Sequence, residues 1–137
     1  MEYTTQMDAA RKGIQTKELL RVAEKEHMDP AKLMELVAKG QAIIPANKLH
    51  TCIDPSGIGK DLSTKINVNL GTSRDWTDLD MEMEKVKSAV DMGAEAIMDL
   101  SSFGDTQKFR KKLTSECPAI IGTVPRSEEH TSELQSP

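Results

Sequence analysis

The chain has 137 residues, a formal net charge of −4, 37% hydrophobic residues and only 3% aromatics. That length allows one domain with a core of its own, and the sparse aromatics leave that core to be built from Ala, Met, Leu, Ile and Val. An acidic balance without Lys/Arg clusters interleaved with aromatics argues against nucleic acid as a partner. No apolar run approaches the ~18 residues of a membrane span.

Two cysteines occur, Cys52 and Cys117, with neither metal-ligand spacing nor a secretory signal beside them. Reduced thiols in a cytoplasmic protein are the expectation. His27, His50 and His130 are scattered along the chain and suggest no metal site.

Residues 4–12 predict a short helix closed by Gly13. Thr16 is placed to cap a second helix with Leu19, Leu20 and Ala23 on its apolar side. Asp29-Pro30 starts a third, with Asp as N-cap and Pro at the first helical position; Leu33, Leu36 and Val37 follow at helical spacing, and Gly40 ends it. This entry region reads as polar and as leaning on another part of the molecule. Ile43-Ile44-Pro45 predicts a single extended pass broken by proline. Residues 48–60, with Asp54-Pro55-Ser56-Gly57 and Gly59, read as turns; the Lys after Gly59 lacks the rest of a phosphate-loop pattern.

From Ile66 to Leu70 the alternation is strict. Ile66, Val68 and Leu70 share one face, Asn67 and Asn69 the other. Period two with β-branched residues predicts a strand. Two asparagines running into Gly71-Thr72-Ser73 suggest a strand end that offers amides to a ligand, since Asn carries both donor and acceptor and glycine admits close backbone approach. A solvated edge strand ending in a turn is the alternative.

Asp78 can cap the next helix, with apolar Leu79, Met83, Val86 and Val90 and a stop at Gly93. Residues 94–100 predict a buried strand, residues 101–104 a loop, and Asp105 the start of a helix carrying Phe109 and Leu113. The basic run 110–112 reads as a solvated helix face. Cys117-Pro118 ends that helix, and residues 119–124 predict a third strand. The order strand, helix, strand, helix, strand is the parallel α/β pattern. An open dinucleotide-binding sheet needs a Gly-rich fingerprint that Gly71-Thr72-Ser73-Arg74 does not supply. Polar groups at successive strand ends (Asn69, Met98-Asp99 with Ser101, Thr123) favour the start of an incomplete (β/α)8 barrel. The expected organisation is therefore a helical and extended region over 1–62, the first βαβαβ units of a barrel over 63–125, and a separate tail over 126–137.

That tail, Arg126 to Pro137, has neither helical nor strand periodicity. Its first eleven residues match the in-frame translation of a common sequencing-adapter oligonucleotide, so it is set aside from fold reasoning like an expression scar. On this reading native coding sequence is lost beyond Pro125.

Five runs are collinear with one known family: Thr5-Gln6-Met7, residues 42–47 (AIIPAN), residues 65–71 (KINVNLG), residues 96–101 (AIMDLS) and Ile121-Gly122-Thr123-Val124-Pro125. The chain resembles the N-terminal part of the phosphomethylpyrimidine synthase (ThiC) family, in the shorter form without a long N-terminal extension. The resemblance implies a radical S-adenosylmethionine carbon–carbon lyase of thiamine biosynthesis. Such an enzyme rearranges aminoimidazole ribotide into hydroxymethylpyrimidine phosphate, releasing formate and carbon monoxide. It also implies a (β/α)8 barrel, a homodimer, a [4Fe-4S] cluster held by three cysteines near the C-terminus, and zinc held by barrel histidines. Neither the cluster ligands nor the zinc ligands match residues of this chain, which on this reading is itself inactive.

Two ribotide-contacting positions of the family do match, Asn69 and Met98. A third, a tyrosine shortly after Gly-Thr-Val-Pro, falls at Ser127 in the adapter-like tail. Asn67 and Asp99 are expected to hold the strand ends through hydrogen bonds. The alternative function is a small α/β module that uses Asn67 and Asn69 to hold a phosphate or a partner without chemistry.

Overall fold

Local cap chemistry sets the helix starts in this computed structural model, which describes residues 2–72, 78–102 and 104–124. Thr5 accepts from the Asp8 N–H to open α1 (Gln6–Arg11), and Thr16 accepts from the Leu19 N–H to open α2 (Lys17–Lys25). Asp29 accepts from the Ala31 N–H at the start of α3 (Pro30–Ala38). Each side-chain oxygen satisfies one of the N–H groups that a helix leaves without an internal partner.

These three helices have a core of their own, in addition to the polar contacts of Glu26, at the end of α2, with Ser63 and Lys65. In that core Leu19, Val22 and Ala23 of α2 meet Leu33, Leu36 and Val37 of α3, together with Ala10, Ala42 and Ile44. The strongly charged α2 sequence concealed this, because its apolar residues are confined to one narrow face. The segment read as turns also contains a strand: β1 (Ala42–Ile43) pairs antiparallel with β2 (Ile58–Gly59), Ala42 opposite Gly59. A two-residue strand is too short to show alternation in sequence.

The second half runs β3 (Asn67–Leu70), α4 (Leu79–Asp91), β4 (Ala96–Asp99), α5 (Thr106–Glu116) and β5 (Ile120–Thr123). Asp78 and Asp105 cap the two helices by accepting from the Met81 and Lys108 N–H groups. The strands form one parallel sheet in the order β3-β4-β5. Val68, Ile97 and Ile121 share a register row, and Leu70, Asp99 and Thr123 share the next row on the same face. Met83, Val86 and Ala89 of α4 and Phe109 and Leu113 of α5 pack with Leu70 and Ile97 on that face. Ile66, grouped with Val68 and Leu70 by the alternation, precedes the strand and is largely exposed.

The chain is thus of the mixed α/β class, with parallel strands in sequence order and both helices against one face. Three strands in this arrangement suit either a closing barrel or part of an open sheet.

The two halves are tied by polar contacts. The His50 ring donates from Nε2 to the Cys117 carbonyl at 2.5 Å, the Asp54 N–H donates to the Pro118 carbonyl at 2.8 Å, and Glu26 and Lys65 form a nearly buried ion pair.

Candidate functional site

Parallel pairing brings the two residues singled out in the sequence together. Asn69 of β3 is the register partner of Met98 of β4, and Met98 is the register partner of Gly122 of β5. Because side chains alternate across a sheet, this row lies on the face opposite Leu70 and Ile97, away from α4 and α5. Asn67, Ala96 and Ile120 form the row beneath it. Asn69 is exposed and Met98 half-buried.

Asn67 donates from Nδ2 to Asn69 Oδ1 at 2.9 Å. This bond uses one lone pair of Asn69. The second lone pair and both amide N–H donors belong to an exposed side chain and suit a polar ligand. Asn67 is thereby tied to its neighbour on the same face of β3.

Behind this row the strand ends are locked by buried carboxylates. Asp99 is fully buried; its Oδ1 accepts from the Ser101 N–H at 2.9 Å, and its Oδ2 accepts from Arg110 Nε at 3.0 Å. Glu82 of α4 is fully buried as well, accepting from the Gly71 N–H at 2.9 Å and from Lys85 Nζ at 2.8 Å. The two strand-end loops are stitched directly. The Thr72 N–H donates to Ser101 Oγ at 3.1 Å, the Ser102 N–H to the Thr72 carbonyl at 2.9 Å, and the Leu100 N–H to the Leu70 carbonyl at 2.7 Å. Gly71 is required there on two counts: its φ is +152°, and a Cβ would fall 2.5 Å from the Ser101 nitrogen.

Arg110 corrects a reading of the sequence. Its neighbours Lys111 and Lys112 are exposed as expected, but Arg110 turns to the buried Asp99 and also donates to the Ser101 carbonyl at 3.4 Å. Sequence reasoning also missed Glu82. The signal was present, since Glu82 falls three after Leu79 and four before Val86, on the apolar side of α4. Ser73, Phe103, the position-127 contact, His130 and the tail 126–137 lie outside the described residues.

Other polar groups are engaged structurally. Cys52 Sγ donates to the carbonyls of Thr114 and Cys117, and burial pushes the Cys117 thiol up from its ordinary value. Burial opposes ionisation of Glu26, but hydrogen bonds from Lys65 and Ser63 outweigh it and hold the carboxyl below the usual range. The hydrogen bond from Arg21, at 2.8 Å, does the same for Asp54.

The family model described as "Radical SAM ThiC family" matches residues 5–136. The chain belongs to the radical SAM ThiC family. A curated relative from Clostridium botulinum (strain 657 / Type Ba4), named phosphomethylpyrimidine synthase, is 65% identical over 125 residues. A relative of the same name from Alkaliphilus oremlandii (strain OhILAs) is also 65% identical over 125 residues. In both cases the match covers 91% of this chain, which spans 29% of the relative's length.

A radical SAM family implies an iron–sulfur cluster and S-adenosylmethionine in the full-length protein. The residues present do not fit the cluster. Such clusters are held by cysteine thiolates, and the chain has two cysteines, one with its thiol pKa raised by burial and the other donating to backbone carbonyls. Among the described residues no group of three or more His, Cys, Asp or Glu is placed to hold a metal ion. Among them, too, no helix is long and apolar enough to cross a membrane.

Proposed function

We propose that the chain is a segment of a thiamine-biosynthesis enzyme that converts aminoimidazole ribotide to hydroxymethylpyrimidine phosphate. The enzyme would be a radical S-adenosylmethionine carbon–carbon lyase and would work in the cytoplasm as a homodimer. The observation that carries this is the 65% identity, over 125 residues, to proteins named phosphomethylpyrimidine synthase. The role of this segment is to bind and orient the ribotide. Asn69 supplies amide hydrogen bonds, and Met98 lays its thioether against the ligand in the same register row.

We read the β3-β4-β5 sheet as the first part of a (β/α)8 barrel. Helices on the Leu70/Ile97 face and an uncovered Asn69/Met98 face are what a barrel wall requires, with the uncovered face turned inward. The cluster and a zinc ion belong, on this reading, to residues outside this sequence, and the 137-residue chain alone performs no chemistry. The non-catalytic binding-module alternative rests on the two asparagines alone.

Anaerobic reconstitution tests the proposal. A full-length protein containing this segment, supplied with iron, sulfide, S-adenosylmethionine, reductant and aminoimidazole ribotide, should form hydroxymethylpyrimidine phosphate. The 137-residue chain treated identically should form none. Absence of product from the full-length protein, or a stoichiometric cluster with turnover from the chain alone, would contradict it.

A further inference from the structure

The third member of the Asn69–Met98–Gly122 row has no side chain, and the reason is not its backbone. Gly122 is absent from the glycines with positive φ, so its conformation is open to any L-residue. What excludes a side chain is Met98. A Cβ on Gly122 would lie 2.9 Å from Met98 Cε and 3.0 Å from Met98 Sδ, and among the described residues no other atom lies within 4 Å apart from its chain neighbours. The Met98 thioether thus reaches across its own strand and rests over the bare backbone of β5.

We infer that Gly122 is a positioning residue: by leaving room above β5 it sets where the Met98 thioether meets the ligand. The inference rests on the reading of Asn69 and Met98 as ribotide contacts. Methionine has three rotatable bonds and adapts to its surroundings, so without a fixed seat its sulfur would sample several positions on the open face. The seat is the gap at Gly122. The same geometry separates the function of this glycine from the stability of the fold. A methyl group at position 122 displaces only the far end of a flexible side chain, which costs the fold little. Replacing Gly by Ala in a strand also removes backbone freedom from the unfolded chain. The thioether, however, must move.

The test uses a full-length protein carrying this segment, titrated calorimetrically with aminoimidazole ribotide. G122A should keep or slightly raise the thermal midpoint and weaken ribotide binding by about 2- to 10-fold, the range of a lost methionine sulfur contact. M98A should weaken binding similarly. G122A added to M98A should cause no further loss, because the group it displaces is gone. If M98A weakens binding and G122A does not, Gly122 does not position the thioether, while the site reading stands. If G122A costs as much in the M98A background as alone, it acts directly on the ligand and the inference fails. A G122A protein that does not fold overturns it too, since Met98 is what stands in the way. If G122A, M98A and substitutions of Asn69 all bind like the parent, the site reading itself fails.

Discussion

Asn69 and Met98 stand side by side as register partners on adjacent parallel strands, although 28 residues separate them in the chain. The pairing follows from burial on the other face. Val68 aligns with Ile97 and Ile121 against the helices, and because side chains alternate, the next row must project the opposite way. A slip of one residue would bury Asn69 if it occurred in β3 and expose Ile97 if it occurred in β4.

The Asp99–Arg110 pair should be a stability determinant rather than a catalytic one. R110A leaves the fully buried Asp99 carboxylate with the Ser101 N–H as its only partner among the described residues, which should cost roughly 3 kcal/mol. R110K should recover part of this, since an ammonium cannot reproduce the guanidinium fork that reaches both Asp99 and the Ser101 carbonyl. Thermal unfolding of a full-length protein carrying each variant measures the loss, and hydrogen exchange at Ser101 and Ser102 locates it. An R110A protein as stable as the parent contradicts the assignment.

Glu26 gives a pH dependence with a defined sign. Its folded pKa lies below its ordinary value of 4.5, so the stability it contributes is complete above that value and is lost as pH falls through the lower folded one. E26Q breaks the pair with Lys65 and weakens the hold on Ser63, at a cost of about 2 kcal/mol at neutral pH. Melting curves of the parent and E26Q should differ at pH 7 and converge as the pH falls through the lowered folded pKa of Glu26. A constant difference across that range would remove Glu26 from the acid response.

The 137-residue chain in isolation should self-associate. Strands β3 and β5 are the two edges of the sheet, and the Ala96/Met98/Ile120 face carries neither of its helices. Such edges and faces are sites of intermolecular pairing. Dye binding, weak near-ultraviolet circular dichroism and concentration-dependent scattering are expected. A sharp cooperative melt with a monomeric scattering profile would contradict this.

What could be read from sequence was set by how local the cause is. Thr16, Asp29, Asp78 and Asp105 cap the helices they were expected to cap, because a cap is a bond between residues two or three apart. The strands 67–70, 96–99 and 120–123 follow from short β-branched or apolar runs. Strand β2 escaped because its existence depends on Ala42 and Ile43, some 16 residues upstream. The role of Arg110 escaped because Asp99 is distant in sequence, so a basic run looked uniformly solvated. Asn69 and Met98 were singled out one at a time; that they share a row, and that Gly122 completes it, is a matter of register.

The most direct measurement is the affinity of aminoimidazole ribotide for full-length protein carrying Asn69→Ala or Asn69→Asp. Alanine deletes a donor and an acceptor from the site, a loss of about 1–3 kcal/mol, or roughly 5- to 150-fold in binding. Aspartate keeps an acceptor for Asn67 Nδ2, and so keeps the strand end, but sets a negative charge beside an anionic ligand. Calorimetric titration should therefore rank the parent above Asn69→Ala and Asn69→Asp weakest, with thermal midpoints unchanged. Parent-like affinity in both variants would make Asn69 a structural strand-end amide and contradict its assignment as a ribotide contact.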